Sequence, residues 1–165
     1  MSKIKIINTG GTFNKIYDEL KGHLIVPKSN FAIEDIIEKY IRNNNEFKIK
    51  GMIFKDSLEI NNEDRKELCI EIRNSKKVLI IHGTDTMNET AQYLADKFKD
   101  EKSIVLTGAM KPYSIDKTEA TANFTQALTF LGQTDKKGVY ISMHGLNKKH
   151  DKIFKNRELG KFECQ

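Results

Sequence analysis

Two short stretches carry side chains suited to nucleophilic chemistry. One is Thr9-Gly10-Gly11-Thr12, and the other is His82-Gly83-Thr84-Asp85-Thr86-Met87. Both set threonine hydroxyls beside glycine, and the second adds a carboxylate. A threonine hydroxyl is a weak nucleophile at neutral pH and needs a base beside it. Thr84 and Asp85 supply two members of a hydroxyl–lysine–carboxylate relay. In such a relay the lysine takes the hydroxyl proton, and the aspartate orients the lysine and balances its charge. The lysine has to arrive from a distant part of the chain. Backbone N–H groups at the glycine turns, and at the start of a following helix, could hold an oxyanion. These are the parts that amide hydrolysis requires.

The elements that must position these groups can be read around them. Lys77-Val78-Leu79-Ile80-Ile81 is a β-branched apolar run, as in a strand buried on both faces. From Met87 the period turns helical, with Met87, Ala91, Leu94, Ala95 and Phe98 on one face and a helix from Asn88 to about Lys99. Ile4 to Asn8 reads as the first strand, so Thr12 also sits at a strand's carboxyl end. In open α/β sheets that is where ligands bind. The Gly-Gly pair lets a ligand approach the backbone closely. It is not a dinucleotide fingerprint, lacking a third glycine and an immediate helix, and it is not a P-loop, lacking Gly-Lys-Ser/Thr.

Phe13 to Ser29 is a mixed-polarity stretch with room for a loose hairpin around Asp18 to Gly22. Beside a candidate nucleophile it could serve as a lid, with Tyr17 and His23 as its titratable members. A helix follows from an Asn30 N-cap, with Ile33, Ile36, Ile37, Tyr40 and Ile41 as its core face and Asn43-Asn44-Asn45 as its end. Phe47 to Phe54 alternates as a strand. Asn62 opens a helix whose buried side is Leu68, Cys69 and Ile72. Ser103 to Leu106 is a strand; Ala120, Phe124, Ala127, Leu128 and Leu131 mark a helix that Gly132 ends; Gly138 to Met143 is the last clear strand. Beyond it the chain is polar and basic. Strand–helix alternation of this kind gives an α/β fold, a mostly parallel, doubly wound sheet in a three-layer sandwich.

The chain has 165 residues, 38% apolar and 31% charged, enough for one domain with its own core. No apolar run approaches the roughly 20 residues that span a bilayer. Met1-Ser2-Lys3-Ile4-Lys5 leads straight into a strand with no signal-peptide pattern, so the expected location is cytoplasmic. Cys69 and Cys164 read as free thiols. The net charge of +5 reads as a solvated lysine-rich surface, with no zinc-ligand spacing, RNP-like pattern or recognition helix, so neither nucleic acid nor membrane is an expected partner. No metal or cofactor is expected. His82 and His144 each follow an apolar strand and read as structural histidines.

His-Gly-Thr-Asp-Thr-Met with Thr90-Ala91 beyond it, preceded by Thr9-Gly10-Gly11-Thr12, resembles the two signatures of the bacterial-type L-asparaginase/glutaminase family in order. Further similar stretches are Ser57 after the second main strand and Gly108-Ala109-Met110-Lys111-Pro112, where arginine is usual at Lys111. Glu119-Ala120-Thr121-Ala122-Asn123 stands where the family has Asp-Gly-x-x-Asn. Leu58 replaces a usual polar residue. The resemblance implies that Thr12 is the acyl-forming nucleophile and that Thr84, Asp85 and Lys155 form a second triad. Lys155 is placed by counting from Met143. Asp85 would hold the substrate's α-amino group and Ser57 its α-carboxylate, with Thr84 and Gly83 also in the substrate site. The family's lid tyrosine would fall near His23-Leu24, where there is none, and Tyr17 is the only lid tyrosine.

The resemblance covers residues 1–165 as a single domain similar to the family's N-terminal domain. It implies that the smaller C-terminal domain of full-length members is absent from this chain. Two readings follow. One is an amidohydrolase acting on asparagine or a related small amide, assembled as a homodimer. The other is a non-catalytic module that binds an amino acid or a protein through the same cleft.

Overall fold

The computed structural model describes residues 3–165. Met1 and Ser2, part of the amino-terminal stretch read above as leading into a strand, lie outside the described residues. In chain order the elements are β1 (Lys3–Gly10), β2 (Ile16–Asp18), β3 (His23–Ile25), α1 (Phe31–Tyr40), β4 (Glu46–Lys55), α2 (Asn62–Ile72), β5 (Lys77–Ile81), α3 (Met87–Phe98), β6 (Ser103–Thr107), α4 (Lys117–Gln133), β7 (Gly138–Met143), β8 (Leu146–Lys149), β9 (Ile153–Asn156) and β10 (Lys161–Cys164).

The main sheet runs β4-β1-β5-β6-β7-β8. Its first five strands are parallel, and β8 adds to β7 antiparallel. Alternate side chains of the central strands go to opposite layers. Ile4, Ile6, Leu79, Ile81 and Val105 pack with α1 and α4, while Ile7, Val78, Ile80, Ile104 and Leu106 pack with α2 and α3. Two-sided burial is why these strands read as continuous apolar runs. The expected three-layer sandwich is the observed fold.

The parallel strands, counted in chain order, lie 2-1-3-4-5 across the sheet. The order reverses between β1 and β5, and a ligand crevice opens at such a switch point, outside the carboxyl ends. Thr12 and Thr84 leave the sheet from these two strands.

Element ends differ from the sequence reading where side chains have other work. Asn30 does precede α1, but its amide oxygen accepts from Asn8 Nδ2 at 3.1 Å, and Ser29 Oγ accepts the Phe31 N–H instead. The helix stops at Tyr40, where Ile41 turns extended, ahead of the asparagine run. α2 does begin at Asn62, as read, and its cap is Asn61, in a reciprocal capping box with Asp64. The helix α4 continues through Gly132 to Gln133.

The larger difference lies after Met143. The stretch read only as polar and basic forms β8, β9 and β10. His144 (φ 50°) and Gly145 (φ 84°) make a two-residue turn that sets Met143 opposite Leu146. Positive φ at both central residues is the geometry that suits a tight hairpin. β9 and β10 form a separate antiparallel ribbon. Both cysteines are free thiols, Cys69 buried and Cys164 exposed.

Candidate active site

Three turns meet at the switch point, and glycines set how closely. Thr9 Oγ1 first ties the end of β1 to β5 by donating to the Ile81 carbonyl at 2.8 Å. Gly11 follows with φ 75°, and a Cβ there would fall 2.5 Å from the Gly83 nitrogen. A Cβ on Gly83 would fall 2.5 Å from Ser57 Cβ. Gly11, Gly83 and Ser57 are therefore stacked in direct contact, which no larger residue at either glycine would permit.

Ser57 is delivered by an irregular end to β4. The pairing with β1 jumps from Asn8 opposite Gly51 to Gly10 opposite Lys55. In the jump Ile53 (φ 70°) and Phe54 (φ 53°) take left-handed backbone. Such conformations cost about 1–3 kcal/mol each and persist where the surroundings hold them. Here the Lys55 carbonyl accepts from the Gly11 N–H at 2.9 Å. Asp56, held by Lys15 at 2.7 Å, then caps the one-turn helix Ser57–Glu59. Lysine keeps the Asp56 carboxyl below its ordinary range. Thr86 Oγ1 locks the turn by donating to the Ser57 carbonyl at 2.7 Å.

The distant lysine arrives on the ribbon. Lys155 lies opposite Phe162 in β10, and Ile153 opposite Cys164. Lys155 thus shares a ribbon face with Ile153 and Phe162, which are both buried in the core. Asn88 Nδ2 pins the ribbon to the start of α3, donating to the carbonyls of His150 (3.2 Å) and Ile153 (2.7 Å). The result is that Lys155 Nζ donates to Thr84 Oγ1 at 2.8 Å and to Asp85 Oδ1 at 2.7 Å. The Lys155 side chain is 12% exposed and that of Asp85 34%. Thr84 Oγ1 in turn points to Met110 Sδ at 3.5 Å. Arg157 closes the outer side, with Nη2 on the Asp85 carbonyl at 3.2 Å.

His82 is a structural histidine, as its position suggested, with a defined role in the turn. It is fully buried, with Nδ1 2.7 Å from the Gly83 carbonyl and Nε2 2.8 Å from Thr90 Oγ1. Arg65 Nε donates to that same Thr90 oxygen at 3.0 Å. The hydroxyl proton of Thr90 is then free for Nε2, which leaves the proton on Nδ1 to hold the Gly83 carbonyl. Burial pushes the imidazole down to about 4, so the ring is neutral at pH 7. Arg65 is thereby linked through Thr90 and His82 to the peptide that carries Thr84.

Several polar groups at these three turns have no protein partner among the described residues. Ser57 is 2% exposed, yet its hydroxyl makes no hydrogen bond, and neither does that of half-buried Thr12. The backbone N–H groups of Thr12 and Thr84 also find no acceptor. At the start of α3, Thr86 does not cap the helix with its side chain. The first-turn N–H groups there retain their partial positive charge.

Of the sequence candidates, Gly83, Thr84, Asp85 and Lys155 are in one hydrogen-bonded unit, with Ser57 beneath Gly83 and Thr12 next to Gly11. Tyr17 stands apart. It lies on β2, opposite Leu24 of β3, 60% exposed and with no hydrogen bond to Thr12. Leu58 points outward, 67% exposed.

Two residues noted only as parts of an inexact motif hold the site's fourth wall. Glu119 accepts the N–H groups of Met110 (2.7 Å) and Lys111 (3.0 Å) and pairs with His144 Nε2 (2.9 Å). Asn123 donates to the Gly108 carbonyl at 2.9 Å and accepts from the His144 N–H at 3.1 Å. Their signal in the sequence is the four-residue spacing, which sets both on one face of α4. Among the described residues no group of three or more His, Cys, Asp and Glu is placed to hold a metal ion, and no helix is long and apolar enough to cross a membrane.

Comparison with known proteins bears on the same region. The family profile described as Asparaginase, N-terminal, matches residues 3–165. The chain is 28% identical over 171 residues to a glutaminase-asparaginase of Pseudomonas fluorescens biotype A, covering 98% of this chain and 46% of that protein. It is 28% identical over 152 residues to a probable periplasmic L-asparaginase of Haemophilus influenzae, covering 87% of this chain and 43% of that protein. Among solved structures, the thermostable L-asparaginase from Thermococcus kodakarensis superposes with a TM-score of 0.80 at 24% identity, covering 98% of this chain and 51% of that chain. The chain thus spans about half or less of the length of these relatives.

Proposed function

The chain belongs to the asparaginase family, matching its N-terminal domain, and from that premise we propose that it is an amidohydrolase. It hydrolyses the side-chain amide of asparagine, or of a related small amide, to the acid and ammonia. The observation that carries this reading is the Lys155 ammonium held between Thr84 Oγ1 and Asp85 Oδ1. A purely binding cleft has no use for a hydroxyl, a lysine and a carboxylate in series.

In this reading the Thr12 hydroxyl adds to the amide carbon. Its proton passes to the departing nitrogen, the C–N bond breaks, and ammonia leaves a threonyl ester. Water then adds to the ester carbon, its proton returns to Thr12, and the acid departs. Thr84, Lys155 and Asp85 move the protons: Lys155 hands one through Thr84 to the departing nitrogen and is reprotonated through Thr84 by the proton that Thr12 gives up. The unpaired N–H groups of Thr12 and Thr84 stabilise the oxyanion in both steps. Ser57 Oγ holds the substrate's carboxylate beside Gly83. Asp85 Oδ2, which Lys155 leaves open, holds its amino group. Tyr17 reaches Thr12 only when the β2–β3 hairpin folds over the bound substrate. The protein works as a cytoplasmic homodimer, and light scattering that finds a monomer at micromolar concentration refutes the dimer.

The test is ammonia release from asparagine, glutamine and a panel of small amides, with Thr12→Ala and Thr84→Val beside the unaltered chain. Activity lost in both variants, with an acyl mass trapped on Thr12 and absent from Thr12→Ala, supports these assignments. A trapped acyl group on Thr84 refutes the choice of nucleophile. Absence of ammonia from every amide, with a melting temperature that still rises on adding aspartate, refutes the enzyme.

A further inference from the structure

At the other end of the sheet, around the amino ends of β1, β4 and β5, lies a cavity of about 630 Å3 walled by Lys3, Lys5, Lys48, Lys76, Lys77 and Glu71. We propose that this cavity binds a compact polyphosphate anion. The proposal is independent of the amidohydrolase reading.

The argument starts from charge that the protein leaves unbalanced. In the β1–β4 register Lys5 stands directly opposite Lys48. Like charges placed so are destabilising. Glu71 is the one carboxylate in the wall, and it is already spent. Lys5 Nζ donates to Oε1 and Lys50 Nζ to Oε2, which holds that carboxyl down to about 2. Lys77 Nζ is engaged with the Gly132 carbonyl at 3.2 Å. The side chains of Lys3, Lys48 and Lys76 make no hydrogen bond or ion pair among the described residues; Glu46 faces Lys3 across the register without pairing to it. Three ammonium groups from three segments are thus available at one concavity.

The shape decides the class of anion. A nucleic-acid footprint is a stripe or an extended face of basic residues. Here the lysines converge on one hollow, within the usual size of small-ligand sites. Lysine serves phosphate as a point charge. Asn74 and Ser75 in the same wall add neutral donors for phosphate oxygens.

The experiment is titration calorimetry of the whole chain with tripolyphosphate at 0.15 M salt, repeated with orthophosphate, ATP and a single-stranded RNA oligomer. We expect one saturable site for tripolyphosphate, competition by ATP and weaker binding of orthophosphate. The triple variant Lys3→Gln, Lys48→Gln, Lys76→Gln and the single charge reversal Lys48→Glu should each weaken binding about tenfold or more. These side chains are exposed and unpaired, so circular dichroism should be unchanged, and Thr12→Ala should bind as the unaltered chain does. Absence of a saturable heat, an unchanged affinity in both variants, or RNA binding that tripolyphosphate does not displace overturns the proposal.

Discussion

Replacing Lys155 by methionine and by arginine separates what the ammonium does for the fold from what it does for the proton. Methionine keeps most of the aliphatic stem on the ribbon face of Ile153 and Phe162 and deletes the donors at 2.8 Å to Thr84 and 2.7 Å to Asp85. A charge-assisted hydrogen bond contributes about 1.5–3 kcal/mol when buried. Asp85 is about one-third exposed, so water solvates the orphaned carboxylate and the stability loss shrinks to about 1 kcal/mol. Loss of a positioned proton acceptor costs about 10²- to 10⁴-fold in rate, or about 3–5 kcal/mol of barrier. Lys155→Met should therefore lose far more rate than stability. Arginine keeps the charge and can hold Asp85, but it stays protonated. Lys155→Arg should recover the urea midpoint and stay as slow as methionine. Both are read from ammonia release and urea unfolding on the same preparations. An arginine variant as fast as the unaltered chain, or a methionine variant within about tenfold of it, refutes the relay.

Further outcomes follow from the geometry. Gly83→Ala puts a Cβ 2.5 Å from Ser57 Cβ and should cost about 1–3 kcal/mol in urea unfolding, with ammonia release falling alongside. His82 has its folded-state value lowered from 6.5 to about 4 by burial, so the unfolded chain binds the extra proton between those values. Its contribution is complete above pH 6.5 and is lost as pH falls toward 4, amounting to about 3 kcal/mol, and His82→Gln should flatten the urea midpoint across that window. Glu119→Ala frees the Met110 and Lys111 N–H groups and should lower kcat by about tenfold while changing KM little, since Met110 touches Thr84 and not the carboxylate site.

How much of this was legible depends on whether a residue's role is local. The central parallel strands announced themselves because two-sided burial writes a continuous apolar run, as in Lys77–Ile81, while the edge strand β4 was legible by its alternation. The glycine turns were legible for a similar reason, since glycine beside threonine at a strand's end has few other uses. The ribbon that carries Lys155 was not. Its strands have four residues each, and only Ile153 and Phe162 are buried. No period survives in so short a stretch. Lys155 could be found by counting along a resemblance, but not by pattern among so many lysines. Glu119 and Asn123 act on the turns at residues 108–111 and 144; their four-residue spacing puts them on one face of α4, but nothing in their own stretch reports that partner.

The strain in the β4 turn shows why the site's parts could not be read one at a time. Ile53 is β-branched and nothing local favours φ 70° for it. Regular pairing would carry β4 on past Gly51 in step with β1 and take Ser57 away from the switch point. The jump in register instead brings Lys55 level with Gly10. From there Asp56 can start the turn that seats Ser57 under Gly83. The energy stored at Ile53 and Phe54 is offset by three contacts from the two other turns: the Gly11 N–H on Lys55, Lys15 on Asp56, and Thr86 on Ser57. Each of those contacts also fixes a wall of the cleft. The same bonds that hold the strained backbone therefore hold Ser57 and Gly83 in register with Thr12 and Thr84.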